Sequence, residues 1–486
     1  MINRNFYKYF LAIIIFVLPI IISNQYYVDD LGRSSMGYTM WGVDGRPFAD
    51  IIMMAFSLSE AMYDIAPLPL LASSALLSLI FCFYRAYFLD NEKWSWIIPL
   101  SFMCNPALIS VFSYRFDVLT FTCAITLSFL VFFIKTRSTS ANFLIGALLV
   151  ALTLSTYQIV INMIVILSFC ELFRNVYKKI DPIDILKMVA IRFFQFSVGL
   201  IVYLKVILPS TFSGEHVQNH PSISENLLND IISNAKIYYH FISSNFYKSN
   251  GELFIKSSVA LALTMCAIIT YKYLKTYGAS VKSLSVISLC FFASLSSSIA
   301  TVGAQLILSN AMPGAVHTYI SVGGYFILLA TLTYYAIPKF RSIAILITIP
   351  ILSNLGLFYA YGNSLREQSI INKDIADQIK FYTSKYDYNS KYIIFFGSAP
   401  KSPIRTNSEK AHPLIGTSVI NYYVNWYWAV ANLSKNGYPQ MYPSAEIVNE
   451  VKSKFCSFNV VHAGNDFSIY EGMGSIVVSF PGSECK

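Results

Sequence analysis

Two adjacent carboxylates, Asp29 and Asp30, follow directly after the first long apolar segment of the chain. Successive side chains point in different directions in both helices and strands, so one carboxylate can face a cavity while the other makes structural bonds. A carboxylate at the edge of a bilayer is partly desolvated, which strengthens it as a proton acceptor. The pair therefore predicts a general base where the chain leaves the membrane.

Basic, acidic and aromatic side chains follow this pair within one loop. Arg33 and Arg46 can pair with nearby acids or hold an anionic phosphate through two parallel hydrogen bonds. Asp44 is a further acid that can orient an arginine, and Trp41 lies in the same loop. Glycines and Pro47 favour defined turns between these residues. The alternative is that the acids only end the first helix and pair with the arginines.

Three more polar groups lie beside apolar segments. Arg115 and Asp117 share a very short loop, and a charge pair at the membrane boundary indicates function. Tyr157 and Gln158 belong to a polar turn on the outer side. Lys205 lies near the end of another apolar segment, where it can contact a phosphate or extend to the interface. A structural role is the alternative for each group.

The composition indicates the environment of these groups. Hydrophobic residues make up 55% of the 486-residue chain and charged residues 13%, against about 25% charged residues in a soluble domain. The mean hydropathy is +0.53. Apolar runs of roughly 17–25 residues recur along the chain, which is the length that crosses a bilayer. We therefore predict a polytopic α-helical membrane protein.

About eleven segments are long and apolar enough to be predicted spans. They are 9–23, 67–84, 96–112, 118–134, 143–156, 159–173, 190–208, 257–273, 284–308, 319–337 and 343–361. The first span follows Arg4 and Lys8 and resembles a signal peptide. No small-residue cleavage site follows it, so we expect a retained span.

Lysine and arginine residues concentrate in alternate loops, which predicts the orientation of the spans. With the N-terminus in the cytoplasm, the cytoplasmic loops hold most of the lysines and arginines that precede residue 362, and all six histidines fall on the outer side. The net charge of +9 is therefore mainly a topology signal. Nucleic-acid binding needs a clustered basic face, and the sequence has none. A site built from acids and histidines must lie outside the cytoplasm.

The composition also divides the chain into two predicted domains. Residues 1–361 form a transmembrane catalytic domain with outer loops at 24–66 and 209–256, and residues 362–486 form a hydrophilic outer domain. Helices are predicted in the two loops and at the start of the tail, over 48–63, 226–246 and 364–384. Strands are predicted in the tail over 392–397, 455–461 and 475–480. The tail is therefore predicted to be a small α/β domain.

Two of the eight cysteines, Cys456 and Cys485, lie in the tail. The other six lie in or beside predicted spans, where cysteine acts as a small buried hydrophobic residue. A tail outside the cytoplasm is in an oxidising compartment, where disulfides persist. We therefore predict a disulfide between Cys456 and Cys485.

These motifs resemble those of a known family. The runs NQYYVDDLGR at 24–33 and WGVDGRP at 41–47, with Tyr-Arg-Phe-Asp at 114–117 and Tyr-Gln at 157–158, are similar to the serotype-converting glucosyltransferases of the Gtr type II family. Bacteriophages of enteric bacteria such as Shigella encode these enzymes. The resemblance covers most of the chain, including the order of the spans and the hydrophilic tail.

The resemblance implies a C-type glycosyltransferase (GT-C) fold in the inner membrane of the host bacterium, with a periplasmic C-terminus. Such an enzyme takes glucose from undecaprenyl phosphate glucose and attaches it to a sugar, often rhamnose, of lipid-linked O-antigen. A β-linked donor and an α-linked product would mean inversion. A flippase and a synthase of the lipid-linked glucose normally accompany the enzyme. No cofactor is implied, and a divalent metal ion stays open.

An inverting transfer assigns a role to each candidate residue. We expect Asp30 or Asp29 to be the base, because a base must remove the acceptor proton. Cations should neutralise the leaving phosphate; the candidates are Arg33, Arg46, Arg115 and Lys205. The candidate sugar contacts are Trp41, Asp44, Asp117, Tyr157 and Gln158. The polyprenyl chain should lie in an apolar groove open to membrane lipid.

Two other functions stay open from the residues alone. A transporter or flippase for a lipid-linked sugar is disfavoured, because transporters often have internal repeats and ionisable groups at mid-membrane. This chain keeps its charges at the outer edge and has no evident repeat. A transferase of another sugar from a polyprenyl phosphate carrier is set aside only by the resemblance.

Overall fold

The computed structural model describes residues 2–212, 222–247, 250–387, 390–424, 427–439 and 441–483. These residues are mostly helical, with one four-stranded sheet near the C-terminus. The helices are α1 Ile2–Ser23, α2 Asp30–Met36, α3 Pro47–Ser57, α4 Leu68–Phe88, α5 Leu108–Val111, α6 Asp117–Phe133, α7 Thr139–Thr156, α8 Ile161–Tyr177, α9 Pro182–Val202, α10 Leu208–Thr211, α11 Leu227–Asn245, α12 Gly251–Tyr277, α13 Val281–Ala300, α14 Gly303–Leu306, α15 Val322–Ala336, α16 Thr348–Thr383, α17 Pro403–Ala411, α18 Leu414–Ser418, α19 Tyr427–Ser434 and α20 Ala445–Lys454. The strands are β1 Tyr392–Phe396, β2 Asn459–Ala463, β3 Ser468–Gly472 and β4 Ser475–Ser479.

Nine helical segments of the described ranges are long and apolar enough to cross a membrane. They are Arg4–Ser23, Leu68–Phe88, Thr139–Thr156, Gln158–Tyr177, Pro182–Thr211, Gly251–Tyr277, Val281–Ala300, Val316–Ala336 and Pro338–Thr383. A bilayer core requires about 20 apolar residues in a helix. The prediction of a polytopic α-helical membrane protein is confirmed.

Two predicted spans differ from these segments. Helix α6 is apolar, but it has only 17 residues. The predicted span 96–112 is not one helix, since two 3₁₀ helices, Lys93–Ile97 and Pro99–Cys104, precede the short α5. Pro106 lies between the second 3₁₀ helix and α5. It has no backbone N–H to donate, which interrupts helical hydrogen bonding. The prediction of a continuous helix at 96–112 is therefore wrong.

The helices predicted in the two outer loops are present. Helix α3 covers the first part of the predicted 48–63 and ends where Leu58 adopts a left-handed conformation, with φ of 52°. Helix α11 matches the predicted 226–246. The second loop, 209–256, also contains 213–221 and 248–249, which lie outside the described residues.

Contacts along the chain define two compact units. The first contains Met1–Leu18, Thr39–Phe358 and His412–Leu414, and the second contains Pro19–Tyr38, Tyr359–Ala411 and Ile415–Lys486. Helix α16 continues through the predicted boundary at 361–362 without a break. The first part of loop 24–66, with Asp29 and Asp30, therefore belongs to the unit that contains the tail.

A buried ion pair connects helices of the first unit. Arg192 of α9 donates from Nε to Glu171 Oε2 at 2.7 Å and from Nη2 to Oε1 at 2.9 Å. Tyr87 of α4 donates to the same Glu171 at 3.0 Å, and Arg192 Nη1 donates to the Val131 carbonyl of α6 at 2.9 Å. The Glu171 carboxylate of α8 thus bonds to side chains of α4 and α9. Through Arg192, the same group of bonds also includes α6.

The second unit is built on a sheet with strand order β1-β4-β3-β2, in which β1 is parallel to β4. Alternate residues of a strand face opposite sides. Ile393 and Phe395 pack with Ile379 of α16 on one face, while Phe396 packs with Val451 of α20 on the other. The predicted α/β tail is present, and β3 is a strand that the sequence did not predict.

Cysteine chemistry differs between the two parts of the chain. Cys456 is disulfide-bonded. The six cysteines in or beside the membrane segments are free thiols. The predicted partner, Cys485, lies outside the described residues.

Candidate functional site

A polar group of the first unit begins with a buried carboxylate at the start of α6. Trp41 Nε1 donates to Asp117 Oδ1 at 2.6 Å, and both side chains are buried. The indole also packs against Met53 and Phe116 and has no exposed surface. This burial suits Trp41 to orienting Asp117 more than to stacking on a sugar.

A tight turn over Gly42–Asp44 fixes the residues that follow Trp41. The carboxylate of Asp50, one turn into α3, accepts the Trp41 and Gly42 backbone N–H groups at 3.1 and 2.6 Å. The Asp50 side chain therefore fixes the start of the turn. Asp44 and Arg46 lie at the other end of the turn.

Two side chains from membrane segments donate hydrogen bonds to backbone carbonyls at the other end of this turn. Gln158 Nε2 donates to the Asp44 carbonyl at 2.9 Å, and Tyr203 Oη donates to the Gly45 carbonyl at 3.0 Å. Gly45 has φ of 75°, and a Cβ there would lie 2.5 Å from Leu208. Only glycine fits this position. Gln158 Nε2 also donates to Tyr203 Oη at 2.9 Å. Gln158, a predicted sugar contact, thus donates its amide N–H groups to acceptors of the protein.

Arg46 and Tyr157 carry hydrogen-bonding groups that the described protein leaves unused. Arg46 Nη2 pairs with Asp44 Oδ2 at 2.6 Å, and its other N–H groups have no acceptor among the described residues. The guanidinium lies 5.9 Å from the centre of the Tyr157 ring. The Tyr157 hydroxyl is buried and has no hydrogen-bond partner in the described part of the chain. Because buried polar groups are normally satisfied, this position suits an oxygen-rich ligand.

A histidine that the sequence analysis did not single out joins this group. His317 Nδ1 lies 3.4 Å from Tyr114 Oη, and its ring stacks on Phe121 at 5.8 Å. The Tyr157 ring centre is 6.3 Å away. The sequence placed His317 on the outer side, but an isolated histidine gives no signal of its neighbours.

The remaining cationic candidates of the first unit have different surroundings. Arg115 pairs with Asp64, an acid that the sequence analysis did not select. Lys205 lies in the π-helical segment Tyr203–Ile207, is exposed, and has no partner among the described residues. Arg115 is thus fixed by a carboxylate, whereas Lys205 is not.

The adjacent carboxylates Asp29 and Asp30 lie in the second unit, where their surroundings differ. Asp30 begins α2, is completely buried, and accepts the Tyr27 backbone N–H at 3.0 Å through Oδ2. Asp29 pairs with Arg33 at 3.8 Å, and its side chain is 41% exposed while that of Arg33 is 5% exposed. Of the two carboxylates, only Asp29 presents substantial surface to a ligand.

A tyrosine from the tail holds this segment. Tyr422 Oη accepts the Val28 backbone N–H at 3.0 Å and donates to the Tyr26 carbonyl at 3.2 Å. Burial raises the pKa of Tyr422 far above its ordinary value, so the hydroxyl stays protonated. Tyr422 also packs against Leu31 of α2. No local sequence pattern predicts this contact, since Val28 and Tyr422 are 394 residues apart.

The predicted site residues therefore form two groups. Those of the first unit surround the turn at Asp44, and those of the second unit surround α2. Among the described residues, no cluster of three or more histidine, cysteine, aspartate or glutamate side chains could hold a metal ion.

Replacing Tyr157 with Phe should lower kcat/KM about tenfold without lowering the melting temperature. The hydroxyl has no protein partner to lose, whereas one hydrogen bond to a ligand is worth about 1 kcal/mol. Tyr203→Phe is the matched control, because its hydroxyl bonds to Gly45 and Gln158. It should destabilise the protein by about 1 kcal/mol. A destabilised Tyr157→Phe variant with unchanged activity would refute a ligand role.

Comparisons with known proteins assign the chain to a family. Residues 18–329, more than half of the chain, match the family described as glucosyl transferase GtrII. The chain is 25% identical over 456 residues to an uncharacterized 55.3 kDa protein in the gtrB 5′ region of Salmonella phage P22, covering 90% of this chain and 92% of that protein. No solved structure matches. The matched range includes Asp29, Arg46, Tyr157 and His317. The chain belongs to the glucosyl transferase GtrII family.

Proposed function

We propose that this glucosyltransferase moves glucose from undecaprenyl phosphate glucose to a sugar, often rhamnose, of lipid-linked O-antigen at the periplasmic face of the inner membrane. The observation that carries the proposal is the pair of unused hydrogen-bonding groups on Arg46 and Tyr157. The chain that carries these groups belongs to a family of glucosyl transferases. It also has several helices that are long and apolar enough to cross a membrane. A polyprenyl carrier brings an activated glucose phosphate to such a site from within the bilayer.

The distribution of charge supports a periplasmic site. Gln158, just before α8, contacts the Asp44 turn, and Lys178, just after α8, pairs with Asp90. These positions are about 30 Å apart along a helix. Arg341 pairs with Glu92 in the same region as Lys178. Because basic loops face the cytoplasm, this basic end favours a periplasmic position for the Asp44 turn.

The donor phosphate is assigned to Arg46, because its guanidinium keeps N–H groups that have no acceptor among the described residues and lies 5.9 Å from the centre of the Tyr157 ring. The phosphate is the leaving group, so its developing charge needs cations and not a protonating acid. Tyr157 and Asp117 are assigned to the glucose hydroxyls. Arg115 and Lys205 are further phosphate contacts in this proposal.

The base is assigned to Asp29. Its carboxylate removes the proton from the acceptor hydroxyl while that oxygen forms a bond to the anomeric carbon. The bond from that carbon to the phosphate oxygen breaks, and the phosphate leaves with the electron pair from the opposite face. The anomeric configuration therefore inverts. Asp30 is assigned to holding α2 through Tyr27, because its carboxylate is buried, and Arg33 to holding Asp29.

Purified protein in nanodiscs tests the proposal directly. Undecaprenyl phosphate glucose and lipid-linked O-antigen repeat should give a glucosylated acceptor with inverted configuration, detected by mass spectrometry and NMR. UDP-glucose should not replace the lipid donor. Folded protein that transfers no glucose from the lipid donor would overturn the proposal. Movement of the lipid donor across liposomes without acceptor would support a flippase instead.

Arg46→Lys should raise the KM for the lipid donor roughly tenfold to one-hundredfold. Lysine keeps the charge but loses the planar fork that binds phosphate through two bonds. Arg137→Lys is the control, because Arg137 is exposed and distant from the site in sequence. An unchanged donor KM with a raised acceptor KM would place Arg46 on the acceptor side.

A further inference from the structure

A polar cleft of about 240 Å³ lies entirely within the second unit. Its walls come from the segment 25–27 after α1, the middle of α16, residues 419–422, and residues 432–436 at the end of α19. None of the first-unit residues around the Asp44 turn lines it.

The lining is rich in groups that bind neutral sugars. Carboxamides come from Gln25, Gln368, Asn372, Asn432 and Asn436, and no carboxylate lines the cleft among the described residues. A carboxamide both donates and accepts, so it matches the adjacent hydroxyls of a sugar ring. Tyrosine rings of the same lining add apolar faces with a polar edge.

Part of this lining is fixed by the protein. Gln368 Nε2 donates to the Pro400 carbonyl at 3.1 Å, and its Oε1 accepts the Ser402 N–H at 3.1 Å. Tyr423 Oη donates to Asn432 Oδ1 at 2.9 Å. Such bonds set the positions of the lining amides before a ligand arrives, which lowers the entropic cost of binding.

Another part of the lining is unused. The side chains of Asn436 and Lys373 have no hydrogen-bond partner among the described residues, and neither does Asn432 Nδ2. Lys373 is exposed and Asn436 is half-buried, so both are accessible to a ligand in the cleft. A fixed frame with unused donors is the arrangement expected of a binding site.

The chain segment that leads into the adjacent carboxylates forms part of the cleft wall. Tyr27 and Tyr422 line the cleft. The Tyr27 backbone N–H is donated to Asp30, and Tyr422 Oη accepts the Val28 N–H. A ligand seated against these tyrosines is therefore held by the same short segment that carries Asp29.

We propose that this cleft binds the acceptor, an uncharged hydroxyl-rich saccharide, and presents one of its hydroxyls to Asp29. The assignment of Asp29 as base rests on the proposed function, whereas saccharide binding rests on the cleft itself. Amides and tyrosines favour a neutral sugar over the anionic lipid phosphate. Lys373 and Lys435, which also line the cleft, donate to sugar hydroxyls in this assignment.

Two substitutions test the cleft in the full-length protein. Ser369→Phe adds a ring within the cleft, and Ile370→Phe adds the same ring at the next position of α16, which is 49% exposed and does not line it. Asn436→Ala removes an unused amide without adding bulk, and Asn407→Ala removes an exposed amide of α17. The two controls should leave acceptor binding unchanged.

Binding and kinetics are measured on protein in nanodiscs. The probe is the isolated O-antigen repeat oligosaccharide, observed by saturation-transfer difference NMR, with undecaprenyl phosphate as a separate arm. Ser369→Phe should abolish the oligosaccharide signal, and Asn436→Ala should raise the acceptor KM roughly tenfold. Donor KM should not change in either variant.

The outcomes separate this inference from the proposed function. Equal oligosaccharide binding by Ser369→Phe and Ile370→Phe would overturn the cleft assignment, even if wild-type protein transfers glucose. Undecaprenyl phosphate binding that is lost in Ser369→Phe would overturn it in favour of the donor. Cleft-dependent oligosaccharide binding without glucose transfer would support the cleft and refute the proposed function.

Discussion

Asp29→Asn will lower kcat for glucose transfer by about 10²- to 10⁴-fold, the usual contribution of a general base. The side chain of Asp29 is 41% exposed and can reach an acceptor hydroxyl. Asparagine has nearly the same size but cannot accept the proton. Initial rates at saturating donor and acceptor, with protein in nanodiscs, measure the effect.

Asp30→Asn is the matched control, since it is the neighbouring residue with the same substitution. An asparagine oxygen can still accept the Tyr27 N–H that Asp30 accepts now, so the position of α2 should persist. We expect kcat within about tenfold of wild type, because a hydrogen bond is weakened and not lost. A large loss at Asp30 with activity retained at Asp29 would exchange their roles. Full activity of both variants would exclude this pair as the source of the base.

Glu171→Ala will destabilise the protein by about 3–5 kcal/mol, the cost of removing one partner of a buried ion pair. The substitution leaves Arg192 charged among the helices with no carboxylate. Tyr87 also loses the acceptor of its hydroxyl. The melting temperature of detergent-solubilised protein, followed by size-exclusion chromatography after heating, measures the loss.

Two further variants show whether burial is the cause. Asp184→Ala removes the acid of an exposed pair with Lys187, and exposed pairs are worth less than about 1 kcal/mol. The double variant Glu171→Ala, Arg192→Met removes both charges and should be more stable than Glu171→Ala alone. If Glu171→Ala and Asp184→Ala melt at the same temperature, the buried pair does not stabilise the first unit.

The candidate site could be predicted only in part. Arg46 stands out in the sequence because it follows the carboxylate pair in one polar loop, and Tyr157 because it lies in a polar turn between two apolar segments. Their proximity, with the guanidinium 5.9 Å from the ring centre, is a property of packed helices. His317 and Asp64 gave no local signal, because a single polar residue at the end of a span looks the same whether or not it faces a site.

The sequence by itself determined most of the membrane segments and, in the tail, the end of α16 and the strands β1, β2 and β4. A bilayer requires long apolar helices, and strands require alternating or continuous apolar runs, so both leave local patterns. The 96–112 stretch is the exception among the spans. This stretch is as apolar as the neighbouring spans. Its prolines interrupt helical hydrogen bonding and so determine where each short helix ends.

Only the tertiary structure decided which polar residues meet. Asp29 and Asp30 follow a membrane helix in sequence, yet their segment folds with the tail, because Val28 bonds to Tyr422, 394 residues further along the chain. Asp117, by contrast, is held by Trp41 in the first unit. Local apolar patterns record which segments leave water, because each residue contributes to burial independently. A hydrogen bond between distant segments depends on the positions of both, and neither segment alone encodes its partner.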